Sequence, residues 1–330
     1  MKTAATPALL LAIALIALVA LLALPFAAPA IGMASLTPLA TRILIYGIAA
    51  ASLNLILGYG GLVSFGHAAY FGVGGYVVGI LYQHFAEGSA LFGFIAGSNE
   101  LLVTVPAAML VCALLAAAIG ALSLRTSGVQ FIMITLAFAQ MIYFLFVSLK
   151  AYGGDDGLII RRRDVLAGLD IRDDRSFYFL CLTIAAIVHL VIHRLVNSRF
   201  GLVLTGISQN ERRMAAMGVA SFRYKLTAFV IAGAFAGLAG ALIANQLRFV
   251  SPDLLHWTKS GELMIMVILG GVGTLFGPLI GAAALILLET VLQGWTENWQ
   301  LGLGLVLLFV VLFTKGGLSA LLSRLKPRPA

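Results

Sequence analysis

Long apolar stretches, each close to the length of a membrane-spanning helix, follow one another along this chain. A helix rises 1.5 Å per residue, so about 20 mostly apolar residues cross the hydrocarbon core of a bilayer. Such stretches cover residues 9–28, 38–57, 68–85, 101–122, 129–149, 177–196 and 226–246. They are continuous and about twice as long as the alternating segments of a membrane barrel. The pattern therefore predicts an all-α, polytopic integral membrane bundle.

Glycines interrupt the last third of the apolar pattern. The stretch 263–292 is broken by Gly270-Gly271-Val272-Gly273-Thr274 and by Gly277-Pro278, and a final apolar stretch covers about 299–313. Counting the broken stretch as two short passes gives about ten transmembrane helices with glycine-rich broken segments. No room remains for a separate soluble domain, so residues 1–330 are expected to form a single transmembrane domain.

Composition and charge predict how the chain is oriented in the membrane. Hydrophobic residues make up 61% of the chain and charged residues 10%, and the mean hydropathy is +1.05. The net charge of +8 does not indicate a nucleic-acid partner, because the basic residues gather at the edges of the apolar stretches. Ten passes place both termini in the cytoplasm of a bacterium, with Glu211 as the one acid among these basic residues: Lys2, Arg125, Arg194, Arg199, Arg212, Arg213, Arg223, Lys225, Lys315, Arg324, Lys326 and Arg328.

This orientation assigns the main hydrophilic segments to the two sides of the inner membrane. Residues 197–225 form a cytoplasmic segment, residues 315–330 a basic cytoplasmic tail, and residues 150–175 a periplasmic loop with equal numbers of acidic and basic residues. The first apolar stretch also imitates a cleaved signal, since Lys2 precedes it and Ala28-Pro29-Ala30 follows. Its apolar core is long for a signal, so we expect it to be retained as the first pass.

A first glycine-rich break begins at Gly58 and reaches into the third apolar stretch. Backbone that leaves helical geometry at membrane depth is tolerated only where protein covers it or where it lines a cavity. A pathway or gate is the functional interpretation, and close helix packing through Gly72 and Gly75 is the structural alternative. The pathway candidates in this region are Asn54, Gly60, Gly61, Ser64, Phe65, Gly66, His67 and Tyr70.

A second break echoes the first, since Gly60 to Gly66 can be aligned with Gly270 to Gly277 after one gap. Paired glycine-interrupted segments in corresponding positions indicate a transport site near the middle of the membrane. The second set of pathway candidates is Gly270, Gly271, Gly273, Thr274 and Gly277. The chain has no Gly-x-x-x-x-Gly-Lys-Ser/Thr motif, so we do not expect it to bind a nucleotide itself.

The middle of the cytoplasmic segment 197–225 has the spacing of a short amphipathic helix. Met214, Ala215, Met217 and Val219 can form an apolar stripe, with Glu211 and Arg212 facing water or a partner, and Gly218 suits a helix end. Such a helix can dock a cytosolic protein. A helix lying in the lipid interface is the alternative.

The polar residues of the chain do not form an enzyme active site. Asp155 and Asp156 suit a solvated loop, and His189 and His193 have the i, i+4 spacing of metal ligands without an evident third ligand. Glu289 lies in an apolar stretch with no matching basic residue identified, which is weak support for proton coupling. We therefore expect neither catalysis nor a metal site.

Four stretches give the chain a resemblance to the permeases of branched-chain amino acid ABC importers. They are Leu53 to Tyr70, Gly153-Gly154-Asp155-Asp156-Gly157-Leu158, Asn210 to Lys225, and Gly270 to Gly281. The pattern is more similar to the second, longer permease of the pair than to the first. The run Arg161-Arg162-Arg163, and Thr205 to Ser208 where relatives commonly carry arginines, depart from the family pattern.

The resemblance implies a set of partners and one further role. Glu211, Arg212, Ala215, Ala216 and Gly218 fall on the family's Glu-Ala-Ala coupling motif, which docks into a cytosolic ATPase. The implied partners are a second homologous permease, two ABC ATPases that bind ATP and Mg, a periplasmic binding protein and membrane lipid. No cofactor is expected in this chain. Urea or short amides as substrates, and ion-coupled secondary transport, remain as alternatives.

Overall fold

The computed structural model describes residues 19–29, 32–91, 95–166, 171–295, 300–305, 308 and 317–318. Helices dominate these residues, in agreement with the all-α membrane bundle expected from the sequence. In chain order they are α1 (Val19–Pro29), α2 (Leu36–Asn54), α3 (His67–Glu87), α4 (Leu101–Ser123), α5 (Val129–Ser148), α6 (Asp174–Val196), α7 (Arg199–Gln209), α8 (Glu211–Ala216), α9 (Ser221–Leu247), α10 (Trp257–Gly270) and α11 (Gly277–Gln293).

Five of these helical segments are long and apolar enough to cross a membrane: Leu36–Tyr59, α4, α5, α6 and α9. The third predicted pass, α3, is also a 21-residue helix, and most of it is buried inside the bundle. The predicted count of ten passes stays a prediction. The proposed signal region and the basic tail 315–330 lie largely outside the described residues.

Short extended pieces and single helical turns connect the helices on the side of the predicted periplasmic loop. Two two-stranded antiparallel pairs join β1 (Ala90–Leu91) to β2 (Ile95–Ala96), and β3 (Leu158–Ile159) to β4 (Phe249–Val250). The second pair fixes the long loop to the end of α9. Short 3-10 turns occupy Lys150–Tyr152, Gly154–Asp156 and Pro252–Leu255.

The core is built around α3 and α9, which approach each other through glycine. A methyl group on Gly74 would collide with the backbone of Gly237, and one on Gly240 would collide with the Phe71 carbonyl. Small residues let two helix backbones come close enough for extensive van der Waals contact where apolar lipid weakens the hydrophobic drive. This close crossing explains how a glycine-rich α3 is held firmly in the centre of the bundle.

Helix α4 also packs against α9, again through small side chains. Gly233 faces Ala116, and Gly237 faces Cys112. Cys112 and Cys181 are both buried with free thiols, and they pack as small residues of the core.

The broken apolar stretch 263–292 forms two helices, α10 and α11, rather than one kinked helix. The backbone of α10 meets that of α11 where a methyl group on Gly270 would collide with the Gly277 carbonyl, and one on Gly281 with the Met266 carbonyl. The two helices therefore form a tight hairpin, with the second break at its tip.

Candidate translocation and coupling site

The first glycine break is an unwound segment between α2 and α3. A π-helical turn, Leu55–Tyr59, follows α2 directly. Its last hydrogen bonds run from the amide of Gly60 to the Leu55 carbonyl (3.2 Å) and from the amide of Leu62 to the Ile56 carbonyl (2.8 Å). Gly61 then adopts a φ of +67°, which a residue with a side chain rarely adopts. The chain leaves helical geometry here and resumes it at His67.

Side chains from neighbouring helices satisfy the backbone of this break. Thr135 of α5 accepts a hydrogen bond from the amide of Phe65 (3.3 Å), and Ser260 of α10 accepts one from that of Ala68 (2.8 Å). The Ser64 hydroxyl accepts a hydrogen bond from the amide of Gly66 (3.2 Å). Unpaired backbone groups are costly inside a membrane, so these bonds allow non-helical backbone to persist at this place.

His67 and Tyr70 occupy the buried side of the same region. The Nε2 atom of His67 lies 2.8 Å from the Ser52 hydroxyl, and the two rings of His67 and Tyr70 meet edge to face at 5.9 Å between centroids. Within the described part of the chain, His67 Nδ1 and the Tyr70 hydroxyl have no hydrogen-bond partner. Buried polar atoms of this kind are expected to bind water or a passing ligand.

The second break follows α10 and is equally non-helical. Gly271 and Gly273 have φ values of +119° and +74°, and the Thr274 hydroxyl donates to the Gly271 carbonyl (2.7 Å). Gly277 starts α11 with no room for a side chain, because a methyl group there would collide with the Thr274 hydroxyl. The predicted pathway glycines of this break therefore lie together in one tight turn.

Asn54 joins the two breaks directly. Its amide oxygen accepts a hydrogen bond from the backbone N–H of Gly273, and its amide nitrogen donates one to the Thr274 carbonyl, both at 2.9 Å. The side chain is buried, and Gly58 packs so closely that a methyl group on it would lie 2.5 Å from the Gly273 nitrogen. The two breaks predicted separately from the sequence are thus in contact, with Asn54 between them.

The predicted cytoplasmic segment, residues 197–225, contains two helices rather than one. The sequence predicted the region of α8 but not α7, an eleven-residue helix that precedes it. Asn210 caps α8 by accepting a hydrogen bond from the Arg213 amide (2.9 Å), and Gly218, at φ +82°, redirects the chain after α8 ends. The apolar stripe predicted from Met214 to Val219 is longer than the helix. α8 ends at Ala216, and Met217 is 62% exposed.

Glu211 connects α8 to the start of α9. Lys225 donates to the Glu211 carboxylate at 2.7 Å, with 13% of the lysine side chain and 49% of the glutamate side chain exposed. Arg212, Ala215 and Ala216 are exposed on α8. The ion pair therefore fixes one side of α8 within the chain and leaves the other side open to a partner.

A cavity of about 280 Å³ lies between the first break and the cytoplasmic segment. Gly60 and Gly61 line it on one side, and Ser208, Glu211 and Lys225 line it on the other. At the closest approach, a methyl group on Gly61 would lie 3.0 Å from the Ser208 side chain. The predicted gate and the predicted coupling segment are therefore neighbours.

At the other end of the bundle, the predicted periplasmic loop is anchored by a buried polar network. Asp164 accepts hydrogen bonds from Thr104 (2.5 Å) and Asn245 (3.1 Å), and Arg163 donates to the Asn245 carbonyl (3.2 Å) and to Asp174 (2.6 Å). Burial raises the pKa of the Asp164 carboxyl above its ordinary value, although these two hydrogen bonds favour the charged form. The network holds the loop to α4, α6 and α9.

Beside this anchor is a basic cavity of about 460 Å³, which we call the arginine pocket. Its lining consists of Arg161, Arg162, Arg163, Arg172, Asp173, Asp174 and Arg248. Arg161 and Arg162 are exposed, whereas Arg163 is buried and also stacks over the Phe177 ring at 4.7 Å. The arginine run that departs from the family pattern therefore has two parts, one structural and one open to an anionic partner.

Sequence reasoning missed several residues of this region. Thr135 and Ser260, which hold the first break, carried no distinguishing pattern. Arg42 and Asn245 did carry a signal, because each is a polar residue inside an apolar stretch. Arg42 lies 3.4 Å from Glu289, so the carboxylate that lacked a matching basic residue in the sequence has one in the structure.

Comparison with known proteins supports the resemblance seen in the sequence. The profile of the family described as "Branched-chain amino acid transport system / permease component" matches residues 35–313. The high-affinity branched-chain amino acid transport system permease protein LivM of Escherichia coli is 26% identical over 91% of this chain and 74% of its own length. A probable branched-chain amino acid transport permease protein LivM of Methanocaldococcus jannaschii is 28% identical over 79% of this chain and 82% of its own.

A further similarity covers a shorter part of the chain. The autoinducer 2 import system permease protein LsrC of Klebsiella pneumoniae is 31% identical over 39% of this chain and 40% of its own length. No solved structure matched the chain significantly.

Proposed function

Because the chain belongs to the family of branched-chain amino acid transport permease components, we propose that it is a membrane subunit of an ATP-driven importer of branched-chain amino acids. The glycine breaks would be its gate and α8 the contact with the ATPase. The observation that carries this proposal is the cavity in which Gly61 meets Ser208, since it brings gate and coupling segment together.

The contacts suggest how a push on α8 reaches the pathway. Movement of α8 acts on α9 through the Glu211–Lys225 ion pair. It acts on the first break through α7, since Met214 of α8 packs against Gly206 and Ser208 of α7 lies against Gly61. From the first break, Asn54 carries the displacement to Gly273 in the second. Packed elements with two discrete arrangements can transmit a local change in this way.

The partners follow from the same proposal. A second homologous permease would complete the pathway, and two cytosolic ABC ATPases would bind ATP and Mg and dock on Arg212, Ala215 and Ala216, with Gly218 setting the end of α8. A periplasmic binding protein would deliver the substrate. The hypothesis of ion-coupled transport relied on an unpaired Glu289 carboxylate, and this carboxylate is paired with Arg42. No observation favours urea or short amides as the substrate.

The proposal is tested by uptake into liposomes that contain the permease pair, the ATPases and the binding protein. We expect leucine to accumulate when ATP is enclosed on the ATPase side and no ion gradient is present. Urea and acetamide serve as the alternative substrates in parallel vesicles. Accumulation driven by a proton or sodium gradient without ATP would contradict the proposal, and so would uptake of urea but not leucine.

The arginine pocket predicts where the binding protein docks. Arginine recognises carboxylates through paired N–H donors, and charge complementarity raises the rate of association. We expect replacement of both Arg161 and Arg162 by glutamate to weaken binding-protein affinity at least tenfold, without changing assembly or basal ATP hydrolysis. The wild-type affinity is expected to fall as salt is added.

Arg175 provides the matched control for this experiment. It is exposed on α6 close to the same loop, its guanidinium lies over the Phe26 ring, and it does not line the arginine pocket. Arg175→Glu should therefore bind like the wild type in surface plasmon resonance. Equal losses in the double variant and in Arg175→Glu would show that only the net charge of the outer face matters.

A further inference from the structure

The exposed surface of the bundle has two chemically different faces. Helices α4 and α5 contain no Asp, Glu, Lys or Arg, and α6 contains none between Phe177 and Ile192. Large apolar side chains cover their exposed sides, among them Leu102, Leu110, Leu114, Met133, Met141 and Leu190. This face is suited to the hydrocarbon of lipid.

The face formed by α2, α10 and α11 carries charges instead. Arg42 of α2 and Glu289 of α11 have 34% and 17% of their side chains exposed, and Lys259 and Glu262 of α10 have 23% and 38% exposed. Charged side chains in membrane-spanning helices face a bundle interior or a water-filled cavity, because contact with lipid is costly. These four charged side chains are therefore expected to face protein or water rather than lipid hydrocarbon.

The four charges form one cluster of zero formal net charge. Arg42 lies 3.4 Å from Glu289, and Lys259 lies 2.9 Å from Glu262. Tyr46 lies among them, since all four interact electrostatically with its side chain, and the Arg42 guanidinium lies over its ring at 5.6 Å. We call these five residues the charged cluster.

The charged cluster adjoins the proposed gate and is open on its outer side. Ser260, next to Lys259, accepts the hydrogen bond from Ala68 at the end of the first break. Gly261 separates Ser260 from Glu262, and a methyl group on Gly261 would meet no atom of the described chain within 4 Å. Open space thus lies beside the charges, next to the segment that we assign to the pathway.

We propose that the charged cluster is a recognition site for the ammonium and carboxylate groups of an amino acid as it passes through the pathway. The inference rests on the proposed function and adds to it a specific site in this chain. Arg42 presents paired donors to the substrate carboxylate, and Glu262, the most exposed member, accepts from the ammonium group. A ligand with both charges can interact with both ion pairs at once, whereas a ligand with one charge can interact with only one of them, so the cluster favours a zwitterion.

The first test uses the assembled transporter with charge-neutral variants of similar length, Arg42→Gln and Glu262→Gln. We expect each to lower leucine uptake at least tenfold, with assembly and ATP hydrolysis stimulated by the binding protein unchanged. A direct readout is saturation-transfer NMR of leucine on the complex without binding protein. The leucine signal should fall at least threefold in each variant. On the wild-type complex, isoamylamine and 4-methylpentanoate, each of which lacks one of the two charges, should give a weaker signal than leucine.

The second test probes the open space with Gly261→Leu, whose β-carbon would meet no atom of the described chain within 4 Å. We expect an assembled complex with uptake reduced at least tenfold. Loss of assembly in this variant would show that the second permease covers this face permanently, and it would overturn the site. Wild-type uptake together with a wild-type leucine signal in both charge variants would also overturn it. If the wild-type complex itself does not accumulate leucine with ATP, the proposed function fails, which is a separate result.

Discussion

Replacing Glu211 with lysine is expected to lower ATP-driven leucine uptake at least tenfold while the permease remains in the membrane in normal amount. The structure gives the reason, because the Glu211 carboxylate holds Lys225 at 2.7 Å and the new lysine would place two positive charges together. Helix α8 has only six residues, so its position depends on contacts with the rest of the chain, this ion pair among them. The measurements are uptake into vesicles and stimulation of ATP hydrolysis by the loaded binding protein.

A charge exchange separates two explanations for this loss. If Glu211 acts by fixing α8 to α9, the double variant Glu211→Lys with Lys225→Glu restores the ion pair and most of the uptake. If the carboxylate itself contacts the ATPase, the double variant stays as inactive as the single one. We expect the restored uptake, because Glu211 has its partner within the chain and the exposed residues of α8 are Arg212, Ala215 and Ala216 among others.

How far the sequence could predict this molecule depends on the range of the interactions concerned. Helices over 101–122 and 129–149 were predicted closely, because apolar length alone determines them. Helix α7 was missed, since its sequence, Arg199–Gln209, mixes glycine, threonine and serine and its helicity depends on packing against α6 and α9. Local composition determines the long apolar helices, whereas tertiary contacts determine a helix such as α7.

The candidate site shows the same division. The two breaks were recognisable from their glycines, and Gly61 and Gly273 do adopt backbone angles that favour glycine. That Asn54 bridges them could not be predicted, because it joins residues 219 positions apart in the chain. The Arg42–Glu289 pair spans 247 positions and was missed for the same reason. A single sequence carries no information on such pairings.

Replacing Asn54 with leucine, which has a similar size and shape, is expected to lower uptake at least tenfold in a complex that still assembles. The change removes both hydrogen bonds to the second break and leaves the Gly273 N–H and the Thr274 carbonyl without their partners. A fully buried group stranded in this way costs about 1–3 kcal/mol and a part-buried one less, so the turn is expected to adopt other conformations. Hydrogen exchange measures this directly, since the Gly273 amide should exchange faster in the variant.

Thr41→Val is the matched control, because Thr41 is a buried residue of the same helix. Among the residues that the structure describes, its hydroxyl bonds only to the Thr37 carbonyl of its own helix. It should keep wild-type uptake and leave exchange at Gly273 unchanged. If Asn54→Leu accelerated exchange at Gly273 but left uptake unchanged, the contact between the two breaks would be structural only. If it reduced uptake without any change in exchange, the Asn54 amide would act on the substrate instead. Only the two changes together support a gate in which both breaks move as one unit.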